Sequence, residues 1–271
     1  MVNRTDDEKS RGIVDKVDGI SVSGYMGGNL GYDPLIPKGK SEGDYYKNSF
    51  EVMARRLNGF NPTIDMDYLQ SGKKRPFYLY ESNMTRPEYN KRLGQAIMMT
   101  DYFVSGTKYG SVYPCMFQLD GSEWGITDGS LRFPWFHMGK YINTHAKGQL
   151  LKSSVASLDK VTNEKGVVLK LEPVSANMFY ENGAYKLVLI SRDFENSFNT
   201  QLNFPDEIGV PNTAKKYMIT GTDFSTSSVI IDSADISFSN NVIMEVPKHS
   251  MIIITFSGNN LDATQMPLGY N

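Results

Sequence analysis

A carboxylate, a hydroxyl and a carboxamide follow one another at Glu81-Ser82-Asn83. They close the run Phe77-Tyr78-Leu79-Tyr80, which is long enough for one buried strand and is entered from the basic turn Lys73-Lys74-Arg75 through Pro76. Proline suits a strand start, because deeper in a sheet its missing N–H would break the ladder. In parallel β/α architectures, catalytic groups stand at the C-terminal ends of strands. A carboxylate placed there can attack an electrophile or move a proton, and nearby hydroxyl and amide donors help keep it ionised. Glu81 is therefore the leading candidate for a reactive residue. The alternative is a solvated strand-end carboxylate paired with a lysine or arginine.

Other chemistries lack their residues. The Gly-rich stretch Tyr25-Met26-Gly27-Gly28-Asn29-Leu30-Gly31 does not end in the Gly-Lys-Ser/Thr of a phosphate-binding loop. His137, His145 and His249 are scattered and bring no metal-ligand partners with them. Cys115 is the single cysteine, which excludes an intrachain disulfide, and its apolar surroundings suit a small core residue. No serine stands in a Gly-x-Ser-x-Gly elbow. No metal and no cofactor are expected. A net charge of −2 gives no bulk attraction for nucleic acid or an anionic membrane. No apolar run approaches the roughly 20 residues of a membrane span. Asn3-Arg4-Thr5 and Asn83-Met84-Thr85 match the glycosylation acceptor pattern, but a glycan on Asn83 would block a cleft at Glu81.

The elements that must position Glu81 alternate. Strands are expected at 17–23, 76–80 and 111–119, and helices at 45–60, 86–105 and 133–144. A long Gly- and Pro-rich loop over 26–43 and a connector over 62–72 join them. In the first helix Tyr46, Phe50, Met53, Ala54 and Leu57 recur at three- and four-residue spacing, and Asn58-Gly59 is a stop signal. Pro87 suits the first turn of the second helix. Strand-helix alternation predicts a parallel sheet with crossover helices. After Gly148 the pattern becomes short runs divided by turns: 150–158, 167–171, 184–191, 200–204, 215–220, 228–231, 242–246 and 251–256. That spacing predicts an antiparallel β-sandwich. The expected fold class is thus α/β plus all-β, with residues 1–148 and 149–258 as two domains and 259–271 as a flexible tail.

Three segments resemble the C-terminal part of a TIM-barrel glycoside hydrolase, of the superfamily with catalytic glutamates on strands four and seven. Val17-Asp18-Gly19-Ile20-Ser21-Val22-Ser23-Gly24-Tyr25 resembles the strand-six pattern D-x-I-S-V-H-x-Y, with Ser23 in place of the histidine. Phe77 to Asn83 resembles the strand-seven segment that carries the nucleophile. Met116-Phe117-Gln118-Leu119-Asp120 and Glu123-Trp124-Gly125-Ile126-Thr127-Asp128-Gly129 resemble strand eight and its loop. Val246-Pro247-Lys248-His249-Ser250-Met251-Ile252-Ile253-Ile254-Thr255-Phe256 is similar to the closing strand of the C-terminal sandwich.

The resemblance implies a partial (β/α)8 barrel, its last three β/α units, followed by a sandwich. It implies hydrolysis of O-glycosidic bonds in a polysaccharide or oligosaccharide by a retaining mechanism, with Glu81 as nucleophile. Such enzymes pair two carboxyls roughly 5 Å apart. The strand-four Asn-Glu is absent here, so the acid/base glutamate and the N-terminal barrel strands are expected upstream, and the fragment is expected to be inactive alone. Trp124 and Phe117 are expected as a stacking floor for a sugar ring, and Tyr25, Tyr80, Asn83 and Gln118 as further substrate contacts. The alternative reading is packing for the aromatic residues and a solvated loop position for Gln118. The alternative function is a non-catalytic carbohydrate-binding or structural fragment. The first ten residues are polar and lack the apolar core of a secretory signal, so either the protein is cytoplasmic or its start lies upstream. The resemblance favours a secreted or periplasmic parent.

Overall fold

Tyr46, Phe50, Met53, Ala54 and Leu57 are buried along one face of a helix in a computed structural model of the chain. The structure describes residues 20–23, 41–71, 77–83, 89–109, 111–112, 119–121, 124–163 and 165–261. For 20–23, 60–71, 77–81, 109 and 111–112 it describes the backbone alone.

The described chain begins with β1 (Ile20–Ser23), α1 (Glu42–Ser71), β2 (Phe77–Glu81), α2 (Leu93–Gly106) and β3 (Ser111–Val112). The three strands form a parallel sheet with β2 in the middle. A small hairpin, β4 (Thr127–Asp128) and β5 (Leu131–Arg132), precedes α3 (Pro134–His145). Pro134 opens α3, where its missing N–H costs nothing. Beyond it, β6 (Gln149–Leu151), β7 (Val174–Glu181), β8 (Ala184–Ser191), β10 (Thr213–Thr220), β11 (Ile230–Ser237) and β13 (Met251–Ser257) make one antiparallel sheet in the order β11-β10-β13-β8-β7-β6. The strands β9 (Phe198–Asn203) and β12 (Asn241–Val246) pair separately as a two-stranded ribbon.

Both faces of the middle strands of the six-stranded sheet are covered, while the edge strand β11 is largely exposed. Along β8 and β13 successive residues turn to opposite sides. Val188, Ile190, Met251 and Ile253 join the core of α1, α2 and α3, while Leu187, Leu189, Ile252 and Ile254 join Leu202 and Val246 of the ribbon. This double burial explains the unbroken apolar run Met251-Ile252-Ile253-Ile254. The first of these cores holds Met138 and Leu150 together, so it runs across Gly148.

Several elements differ from their expected bounds. Helix α1 begins with a reciprocal cap: the Ser41 N–H donates to Asp44 and the Asp44 N–H to the Ser41 hydroxyl. It then runs through Asn58-Gly59 and Pro62 to Ser71, over the expected connector. Those stop signals are local, about 1 kcal/mol for Gly and about 3 for Pro, and a helix can continue through them. Helix α2 starts at Leu93 instead of 86; Pro87 lies outside the described residues, as do Cys115 and most of the expected third strand. The run 150–158 is strand only at Gln149–Leu151. The run 167–171 is a single bridge, Thr162 to Val168, with Val168 exposed. Strand β7 was not anticipated, because Ser175 and Asn177 break its apolar pattern; both are buried. The expected tail is held in place as far as Leu261: the Asn259 carbonyl accepts from Tyr185 and the Leu261 N–H donates to Tyr180. No described helix is long and apolar enough to cross a bilayer.

Candidate active site at the strand ends

Parallel pairing brings the C-terminal ends of β1 and β2 together at one edge. The register runs Ile20 to Phe77, Ser21 to Tyr78 and Val22 to Leu79, then shifts so that Ser23 faces Glu81. Tyr80 is therefore the extra residue of a bulge directly before Glu81. Bulges redirect the chain and concentrate beside active sites. The resemblance to a strand-seven segment did not reveal this bulge, because register depends on the partner strand.

Glu81 and Tyr80 are placed by backbone alone: both lie in β2, Glu81 at its last position. Tyr25, Phe117 and Gln118 lie outside the described residues. Ser82 and Asn83, the next two residues, are fully buried. Asn83 Nδ2 donates to the Trp124 carbonyl at 3.2 Å, and Gln95 Nε2 on α2 donates to Asn83 Oδ1 at 3.2 Å. Asn83, expected to touch substrate, has a fully buried side chain bonded to the Trp124 loop and to α2. Its carboxamide works behind the strand end, joining β2 to the Trp124 loop and to α2. Gln95 was missed as a site residue; the available signal was one amide in the apolar stretch Leu93-Gly94-Gln95-Ala96-Ile97-Met98-Met99.

Trp124 is half-buried in a tight loop. The Ile126 and Thr127 N–H groups both donate to the Leu119 carbonyl, and the Gly121 N–H donates to the Thr127 carbonyl. The Thr127 hydroxyl donates to Asp120 at 2.5 Å. A Cβ at Gly125 would lie 2.6 Å from the Gly121 nitrogen, so only glycine lets the loop close this tightly. Lys91 reaches Asp128 at 3.5 Å and lies 4.8 Å above the Phe133 ring. The Ser82 hydroxyl, the Asn90 carboxamide and the Gln95 Oε1 are buried without a hydrogen-bond partner.

Among the described residues, no three His, Cys, Asp or Glu side chains are placed to hold a metal ion. His137, His145 and His249 fall in α3, at its end and in a turn, and burial lowers the pKa of each. A cleft of about 1350 Å³ lies on the ribbon side of the large sheet, between residues such as Ser153, Val155, Ala176 and Phe198; neither Ser82 nor Asn83 lines it.

No protein-family profile matches the chain, and no curated protein matches it in sequence. Solved structures do match its fold. An α-L-arabinofuranosidase from Thermotoga maritima, in complex with arabinose, superposes with a TM-score of 0.65 at 17% identity, over 89% of this chain and 53% of its own. A family 51 α-L-arabinofuranosidase from Bifidobacterium longum gives 0.68 at 11% identity, over 91% and 55%. A 4-O-α-L-rhamnosyl-β-D-glucuronidase from Fusarium oxysporum 12S gives 0.66 at 12%, over 94% and 56%. The chain spans about half the length of these glycoside hydrolases. At such identities the likeness is one of fold.

Proposed function

We propose that this chain is the C-terminal part of a retaining glycoside hydrolase, with Glu81 as its nucleophile. On this reading β1, β2 and β3 are the last three strands of a (β/α)8 barrel over 1–148, and the sheet and ribbon over 149–258 are its C-terminal sandwich. The observation that carries the proposal is the place of Glu81. It closes the middle strand of a parallel sheet, immediately after a bulge, in a fold whose solved neighbours hydrolyse glycosides.

The chemistry proceeds in two displacements. The Glu81 carboxylate attacks the anomeric carbon while the glycosidic oxygen departs with a proton from a second carboxyl, leaving a glycosyl ester on Glu81. Water, deprotonated by that second carboxyl, then attacks the same carbon and releases Glu81 with net retention. The second carboxyl is proposed to come from a barrel strand outside this chain. Trp124 offers an aromatic face to the apolar side of a sugar ring. Pentose or uronic acid glycosides are the first substrates to try, after the neighbours' activities, and a secreted or periplasmic setting suits an enzyme of polysaccharides.

In the complete polypeptide, Glu81→Ala is expected to lower turnover of an aryl α-L-arabinofuranoside by about 10⁴-fold or more, the scale of a lost covalent nucleophile. Added azide should restore turnover and give a glycosyl azide of inverted configuration, since it attacks where the carboxylate did. Unchanged turnover across an aryl glycoside panel would remove Glu81 from the reaction. Sugar binding without turnover by the wild-type protein would favour the carbohydrate-binding alternative.

A further inference from the structure

We infer that Gln95 is a positioning residue: through Asn83 it fixes the loop that presents Trp124, and so sets the spacing between the end of β2 and an aromatic platform for a sugar ring. The platform's ligand rests on the function proposed above; the coupling itself does not.

The direction of the relay is dictated from one end. A backbone carbonyl can only accept, so Asn83 must turn its NH2 toward Trp124. Its Oδ1 then faces Gln95, which must in turn present its own NH2. Glu, the ionisable isostere of Gln, cannot donate here at neutral pH. The cost is visible at the other end of the amide, where Gln95 Oε1 is buried without a partner.

Gln95 is itself held rigidly. It lies in the first turn of α2, whose Leu93 and Gly94 N–H groups donate to the Thr226 and Phe224 carbonyls at 2.8 and 2.7 Å. The Arg92 guanidinium donates to the Ser225 carbonyl at 2.7 Å. The Tyr46 ring occupies the place where a Cβ on Gly94 would stand. The loop at the far end is equally constrained by its bonds to Leu119 and by Gly125. The Asn83–Gln95 carboxamide pair joins these two held segments, beside the Lys91–Asp128 ion pair, and changing Gln95 removes the bond that orients Asn83 toward Trp124.

Fluorine NMR of the full chain labelled with 5-fluorotryptophan tests this. There are two indoles, and Trp135, 3% exposed in the core, is the internal reference. In both Gln95→Leu and Gln95→Glu at neutral pH, the Trp124 resonance is expected to move and broaden while that of Trp135 stays in place. Acidification should return the Trp124 resonance of Gln95→Glu to its wild-type position, because the protonated carboxyl again donates to Asn83; Gln95→Leu should show no return. Titrated L-arabinose should move the wild-type Trp124 resonance, with an affinity about ten-fold weaker in Gln95→Leu, the size of one lost hydrogen bond. An unmoved Trp124 resonance in both variants, or an equal shift of Trp135, overturns the relay. Intact relay behaviour with no response to arabinose supports the role of Gln95 and counts against the proposed sugar platform.

Discussion

Individual side chains decide how the helices meet the large sheet. The buried Asp101 carboxylate on α2 accepts from Arg192 Nε at 2.5 Å and from Arg192 Nη2 at 3.1 Å, and also from the Ser105 hydroxyl at 2.8 Å. Beside this pair Lys108 donates to the Ala176 carbonyl at 2.6 Å. Burial pushes the Lys108 ammonium from 10.5 down to about 8, with Arg192 adding to the shift and Asp101 opposing it. Between about pH 8 and 10.5 the folded chain therefore holds fewer protons than the unfolded chain, and stability rises with pH across that window. Below it, the buried charge carries a penalty on the order of 3 kcal/mol. Lys108→Met is accordingly expected to raise the urea midpoint at pH 7 and to lose that advantage by pH 10. A difference that does not change with pH would show that Lys108 titrates normally.

At the scale of elements, the entry into α2 is a joint between the two halves of the chain. Arg92 at its N-cap makes no side-chain cap bond, and the carbonyls of the loop between β10 and β11 take the first N–H groups instead. An N-cap search over 86–105 could not find this, because the capping atoms lie more than a hundred residues away. Gly94→Ala would set a methyl 2.6 Å from the ring of the fully buried Tyr46. Overpacking of this kind costs about 1–3 kcal/mol, despite the better helix propensity of alanine. Chemical denaturation should show that loss, and a stabilised variant would mean that Tyr46 can move aside. Other elements were legible without their partners. The runs 184–191 and 242–246 alternate or stay apolar between turn residues, and they are strands within a residue of their expected bounds.

For the molecule as a whole, the large sheet is a shared wall. Val188, Ile190, Ile219, Met251 and Ile253 face the helices, so the sheet and the β/α part do not have separate cores. A chain truncated to 149–261 would bare this face. It is expected to bind a hydrophobic dye and to lack the single cooperative thermal transition of the full chain. A sharp, reversible transition in the truncated chain would instead establish the sheet and ribbon as an independent folding unit.

What the sequence determined by itself is what depends on neighbours in the chain. Side chains alternate every second residue in a strand and return every three to four in a helix, so the helical face of 45–57, strands such as 184–191 and 242–246, and the strand carrying Glu81 were readable from spacing. Tertiary structure alone decided which strands are buried on both sides, where the bulge before Glu81 falls, and what the polar residues behind it do. Asn83 reaches Trp124 across 41 residues, Asp101 reaches Arg192 across 91, and Arg92 reaches the Ser225 carbonyl across 133. A buried hydrogen bond is set by where its partner is brought in space, and no local pattern encodes that position.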